Sequence, residues 1–225
     1  MRVGAGNTWR GLVHVALVAG LSTGCGAAED DSEASVSASA ADKAGQADQA
    51  DSAGGSVERG GTIGAAGSPC ELPVTFDIAA KWTAESTSVP GKDVPEDLAD
   101  VMLLQGPVTA ACEVDAKPAG HIGFLRVWTG EPGAADARAV LEGFVGADTG
   151  ASQAKYRPFE AGDLAGTEAE YRYTSELLDE TKTERALAVV TPDGPVVLHL
   201  GGLDTAEHEA MLPAYELAKR TLRAS

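Results

Sequence analysis

The chain has 225 residues, 44% of them hydrophobic and 5% aromatic, with 17 Lys and Arg against 34 Asp and Glu and a net charge of −17. Such a surface repels phosphate backbones and anionic lipid headgroups, which excludes a direct role on nucleic acid. No Asp-x-Asp-x-Asp-Gly loop accompanies the acidity, so it reads as a solvated surface rather than a calcium site.

Met1 to Gly24 contains Arg2 and Arg10 and no acidic residue, and Leu12 to Leu21 is an apolar run of about ten residues. A bilayer core needs roughly 20 apolar residues, so this run is too short to span one; it fits the apolar region of a secretory signal. The segment ends Leu21-Ser22-Thr23-Gly24-Cys25, which resembles the lipobox of bacterial lipoproteins. The resemblance implies cleavage before Cys25, lipid on its sulfur, and a mature chain held at the extracytoplasmic face of the cell membrane. The alternative is a plain secretory signal cleaved nearby, with Cys25 incidental. Removal of 1–24 leaves 15 basic and 34 acidic residues, a net charge of −19.

Gly26 to Pro69 is built largely from Ala, Gly, Ser and Asp, has no aromatic residue, and carries only Val36, Val57 and Ile63 as larger apolar side chains. It cannot bury enough apolar surface to offset the entropy of ordering, so residues 25–69 are expected to be a lipidated cysteine followed by a disordered acidic tether. As a flexible chain it would span roughly 35–40 Å. Residues 70–225 have the length of one domain.

Three cysteines occur: Cys25, Cys70 and Cys112. With Cys25 lipidated, Cys70 and Cys112 are left either as one disulfide or as two buried thiols; export to an oxidising compartment favours the bond.

Within residues 70–225, Val74-Thr75-Phe76-Asp77-Ile78 alternates as a half-buried strand does. Ser86 to Gln105 reads as a loop with a short helical turn near Leu98 to Leu104. Val108, Ala110, Cys112, Val114 and Ala116 fall on one face of a second strand, and His121 to Thr129 forms a third. Asp136 is placed to cap a helix carrying Ala137, Val140, Leu141, Phe144 and Val145. Lys155–Phe159, Glu168–Leu178, Thr183–Thr191 and Val196–Leu200 follow as strands, the last two joined by a Pro192-Asp193-Gly194 turn. A final helix begins at Asp204, with Glu207 completing a capping-box pair and Met211, Tyr215, Ala218 and Leu222 as its apolar stripe. Pro213 must kink this helix or open its second segment. The sum is an α+β domain: an antiparallel sheet of about six strands flanked by two main helices.

The Phe76-x-Ile78 strand leading to Trp82, the long middle sheet, and Gly194-Pro195-Val196-Val197-Leu198-His199-Leu200 feeding an acidic-start helix resemble the PsbP-like fold. That fold includes an extrinsic photosystem II subunit and the LpqN-type lipoproteins of mycobacteria. More closely, residues 70–225 resemble uncharacterised actinobacterial lipoproteins. The resemblance implies a non-catalytic module that binds an envelope protein or a small ligand, and carries over no functional residue.

Catalytic signatures are missing from the sequence. His121, His199 and His208 have no His-x-x-x-His or Cys-x-x-Cys companion, and Gly-x-Ser-x-Gly, the P-loop and the dinucleotide fingerprint are absent. No catalytic residue, metal or cofactor is therefore expected. An envelope hydrolase remains as the alternative, its site assembled only in three dimensions. Trp82 and Trp128 are expected in the core.

Overall fold

The computed structural model describes residues 57–87 and 103–225. The expected signal, Cys25, most of the tether and most of the turn at Leu98–Leu104 lie outside the described residues.

Among the described residues, eleven strands and two α-helices follow one another: β1 (Arg59–Ile63), β2 (Val74–Ala79), β3 (Thr83–Ser86), β4 (Leu104–Gln105), β5 (Val108–Asp115), β6 (Gly123–Thr129), α1 (Ala137–Gly146), β7 (Ala151–Ala161), β8 (Leu164–Ser175), β9 (Glu180–Thr191), β10 (Gly194–Gly202), α2 (Thr205–Thr221) and β11 (Arg223–Ala224). Eight of the strands form one sheet in the order β3-β5-β6-β10-β9-β8-β7, with β4 beside β5; β1, β2 and β11 form a small second sheet. Every strand pair within the two sheets is antiparallel. The architecture is α+β with two helices; the strands exceed the expected six through the short β1, β3, β4 and β11, and Val74–Ala79 leaves the main sheet to found the small one.

The large sheet is covered on both faces. One face packs on α2 and the small sheet through Val114, Leu125, Val127, Leu187, Leu198, Leu200, Phe76, Met211 and Tyr215. The other packs on α1 through Val108, Ala110, Trp128, Phe144, Tyr171, Ala186 and Val197. Trp82 and Trp128 are both buried in these layers. Because both faces are buried, a strand gains by exchanging its apolar row between them, and β5 does so. Its pairing with β6 shifts between Ala110 and Cys112. The extra residue leaves Ala110 opposite Trp128 on the α1 face and turns Cys112 and Val114 to the other. The single apolar face expected for Val108 to Ala116 is corrected accordingly.

The boundary at Cys70 is corrected as well. β1 lies inside the stretch expected to be linker, paired with β2 from Arg59↔Ala79 to Ile63↔Phe76. Ile63 is buried, Arg59 Nε lies 2.7 Å from Asp77 Oδ2, and Thr62 donates to Asp77 Oδ1 at 2.7 Å. One buried side chain and two polar contacts anchor a strand that its composition conceals.

Both helix caps form where the sequence put them. Asp136 Oδ1 accepts from the Ala139 N–H, and Asp204 Oδ1 from the Glu207 N–H, each at 2.8 Å. The reciprocal half of the second capping box is not made: Glu207 Oε2 instead accepts the Ile122 N–H at 3.2 Å and lies 3.4 Å from His121 Nδ1. Pro213 sits within one continuous helix. The carbonyl that loses its partner belongs to Glu209, which is exposed to water. Gly143 weakens α1 as a helix former, and its role is packing. Gly106, at φ 57, comes so near that an added Cβ would lie 2.4 Å from the Gly143 carbonyl oxygen, which seats the β4–β5 turn on α1.

Candidate functional site

The strands of the large sheet do not end level. β9 pairs with β10 only as far as Arg185↔Leu200, and β10 with β6 as far as Gly202↔Gly123. The β8–β9 ladder continues to Ser175↔Glu180. Glu180 to Glu184 therefore project past the end of the β9–β10 ladder by roughly 15 Å at a strand's rise per residue. The projecting hairpin is one wall of a cleft. The ends of β5 and β6 and the 3-10 turn Lys117–Ala119 form the other, and the start of α2 closes one side.

The cleft has a volume of about 1010 Å³. Phe124, Tyr173, Ile122, Leu178 and Leu203 supply its apolar lining; Glu113, Asp115, Glu180 and Asp204 its acidic rim. The last three of the apolar group are 52%, 59% and 52% exposed, and Leu177, at the hairpin tip, is 92% exposed. Four of the five large hydrophobic side chains exposed among the described residues thus belong to this end of the molecule; the fifth is Leu104. Isolated exposed leucines need no explanation, whereas a cluster around a concavity does. Gly201 packs against the Phe124 ring so closely that an added Cβ would lie 2.7 Å from it.

Beneath the cleft runs a polar network on the same face of the sheet. His199 Nε2 lies 2.9 Å from Glu184 Oε2, which also accepts from the Tyr171 hydroxyl at 3.1 Å; Lys182 Nζ lies 2.8 Å from Glu184 Oε1 and donates to the Gly202 carbonyl at 2.7 Å. Phe124, Phe144 and Tyr171 surround the His199 ring at centroid distances of 5.7–6.4 Å. Burial alone would raise the Glu184 carboxyl; the His199 ring and the Lys182 ammonium outweigh it and hold the group at about 2. The Tyr171 hydroxyl is pushed well above its ordinary range by burial and by the neighbouring Glu184 charge. Cross-strand partners extend the polar row outwards: Arg126 pairs with Glu113 and lies 4.3 Å over the Phe124 ring.

Cys70 and Cys112 are joined by a disulfide, with 5.9 Å between their Cα atoms and both residues buried. The bond fastens the lead-in to β2 onto β5, on the sheet face opposite the cleft's polar floor.

A family model described as "Uncharacterised lipoprotein" matches residues 39–222. The chain belongs to this lipoprotein family. The comparison with curated proteins gives no match. Among solved structures, the lipoprotein is similar to the solution structure of cyanobacterial PsbP (CyanoP) from Synechocystis sp. PCC 6803, with 13% identity, a TM-score of 0.45, and coverage of 73% of this chain and 98% of that one. Family membership implies a lipid anchor to the membrane. Among the described residues, no helix is long and apolar enough to cross a membrane.

The lipoprotein's histidines have separate fates. His121 lies beside Glu207, His199 joins the network, and His208 is buried at 1% exposure with neither ring nitrogen in good hydrogen-bond geometry. Burial, the largest influence on it, holds His208 down at about 4. The described residues contain no group of three or more His, Cys, Asp or Glu arranged to hold a metal. A hydrolase of the Ser-His-Asp type needs a histidine facing its nucleophilic hydroxyl. The His199 nitrogen that is engaged faces a carboxylate, and Ser175 and Thr181 in the cleft bond to Leu178 N and Thr174 Oγ1 instead.

Sequence reasoning missed Glu184, Lys182, Tyr171 and the cleft. One signal was available for the first: Glu184 shares strand parity with Ala186 and Ala188, so a carboxylate occupied the buried row.

Proposed function

We propose that this lipoprotein is exported under a signal spanning residues 1–24 and anchored through lipid on Cys25. Its folded part stands at the extracytoplasmic face of the cell membrane and binds a partner in the cleft beside the β8–β9 hairpin, without catalysis. The reading rests above all on one observation, the gathering of the exposed Ile122, Leu178 and Leu203 around a single concavity. The stretch between the lipid and the folded part serves as a tether, so that the cleft meets either a neighbouring envelope protein or a small ligand.

The polar network supports binding rather than turnover. It occupies the floor, ties β8, β9 and β10 together where their ladder opens, and keeps the hairpin wall in place. A preformed cleft binds with less loss of conformational entropy.

Photo-crosslinking in intact cells tests the reading. A photoreactive residue replacing Leu178 or Leu203 in the full chain is expected to give a discrete adduct, and one replacing Glu142 on exposed α1 is not. Absence of any adduct from both cleft positions, of protein or of small molecule, contradicts it.

A further inference from the structure

Where β10 leaves β9, the inner edge of the hairpin stays open. Backbone groups alternate sides along an antiparallel strand. The Thr183 N–H points away from β8 and donates to Thr205 Oγ1 at 3.1 Å, so Thr181, two residues on, presents its N–H and C=O to the same side. Thr181 lines the cleft, and among the described residues no backbone group pairs with it on that side. A free strand edge inside an apolar-lined concavity is the arrangement by which domains add an extended peptide to a sheet.

Charge selects the kind of peptide. Among the described residues, Asp115, Glu180 and Asp204 on the rim have no cationic partner, and Glu113 is matched only by Arg126. Lys182 is already engaged by Glu184, leaving Lys117 as the cation free on the rim among the described residues. A second copy of this chain, at net charge −17, is repelled, and so is its own segment 26–56, with Glu29, Asp30, Asp31, Glu33, Asp42, Asp48 and Asp51 against Lys43.

We propose that the open edge of β9 at Thr181 takes up an extended basic segment of another envelope protein as an added strand. Its apolar side chains meet Phe124, Leu178 and Leu203, and its Lys or Arg residues meet the acidic rim. The proposal rests on the cleft being the binding site and adds the partner's chemistry and backbone mode. Backbone pairing supplies affinity, and the rim rejects acidic segments.

The test uses the full chain in detergent micelles and three fluorescent, capped seven-residue probes read by anisotropy. One alternates lysine and valine, one alternates glutamate and valine, and one is the lysine–valine peptide N-methylated on alternate amides, made in both phases. The lysine–valine peptide is expected to bind at least tenfold more tightly than the glutamate–valine peptide and to weaken severalfold in 0.5 M salt. One N-methylation phase is expected to abolish binding while the other retains it. Thr181→Pro, which removes a cleft-facing backbone donor and, of the bonds to β8, only the exposed hydroxyl contact with Thr174 Oγ1, is expected to abolish binding with the thermal midpoint little changed. Should that variant fold poorly, the double variant Asp115→Lys with Glu180→Lys serves in its place, and is expected to reverse the charge preference.

Equal binding of the lysine and glutamate peptides overturns the proposal, as does binding that survives both N-methylation phases. The second result leaves the cleft as a site that grips side chains only. Self-association of the chain that displaces the probe overturns it in favour of a second copy. Binding of no peptide overturns it too, and if Leu178 and Leu203 also yield no crosslink, the cleft itself fails as a site.

Discussion

His208 gives the fold a sensitivity to mild acid. The ring is buried at the start of α2 with neither nitrogen in good hydrogen-bond geometry, and burial holds it at about 4 against an ordinary 6.5 although the Leu200 backbone favours the charged form. The charged groups acting on it are Glu184, which favours protonation, and Arg185 and His199, which oppose it. Since the folded state resists the proton and the unfolded chain accepts it, the stability is complete above pH 6.5 and is lost as pH falls towards 4. Between pH 7 and 4.5 the loss amounts to about 2 kcal/mol. Glu184 contributes little in that interval, because its carboxylate is ionised in both states above its ordinary value of 4.5. His208→Leu replaces a poorly paired polar ring with an apolar side chain of similar volume. It is expected to leave stability at pH 7 unchanged or higher by up to about 1 kcal/mol, and to flatten the acid slope. Urea unfolding followed by tryptophan fluorescence at pH 7, 5.5 and 4.5 makes the comparison. A variant that loses as much stability as the parent across this range refutes the assignment of the slope to His208.

Other expectations concern the supports of the cleft and core. Glu184→Gln keeps the shape but not the charge. Because the folded carboxyl lies at about 2, its contribution is present above pH 4.5 and lost as pH falls through 2. The variant should therefore be less stable by about 3 kcal/mol at neutral pH and nearly equal to the parent near pH 2; a penalty independent of pH contradicts this. Replacing Cys70 and Cys112 together by alanine opens a loop with a sequence separation of 42. It should cost about 4 kcal/mol on chain-entropy grounds, read as a drop in the urea midpoint. The buried bond should also resist reductant until the domain unfolds, which thiol labelling under native and denaturing conditions reports. Gly106→Ala combines a positive φ with a clash against α1, and should lower stability by about 2 kcal/mol or more in the same assay.

The parts of the fold that were legible in the sequence are those where one local pattern decides. Asp136 and Asp204 are short acceptors ahead of apolar repeats, and both cap helices. Met211, Tyr215, Ala218 and Leu222 recur at helical spacing, and all are buried. In β7, Pro158 and its charged neighbours blur the strand pattern and suit an edge position, where a missing donor is tolerated. What stayed hidden depends on neighbours far along the chain. The β5 bulge answers to a sheet buried on both faces, which no single strand announces. β1, with Gly60 and Gly61, has almost no strand propensity and exists through Ile63 and the Asp77 contacts. The cleft arises from a mismatch in ladder lengths among β8, β9 and β10, a property of register. Leu177 and Leu178 read as the end of a strand, and their exposure follows from the hairpin projecting past its neighbours.

The most direct test of the account is oxidative footprinting of the lipoprotein in intact cells against the purified full chain. Ile122, Leu178 and Leu203 should be shielded in cells and become reactive on purification, while Leu104, also 55% exposed but away from the cleft, reacts equally in both. Equal labelling of the cleft residues in the two states would mean that the cleft stands empty in the envelope, and would contradict the account.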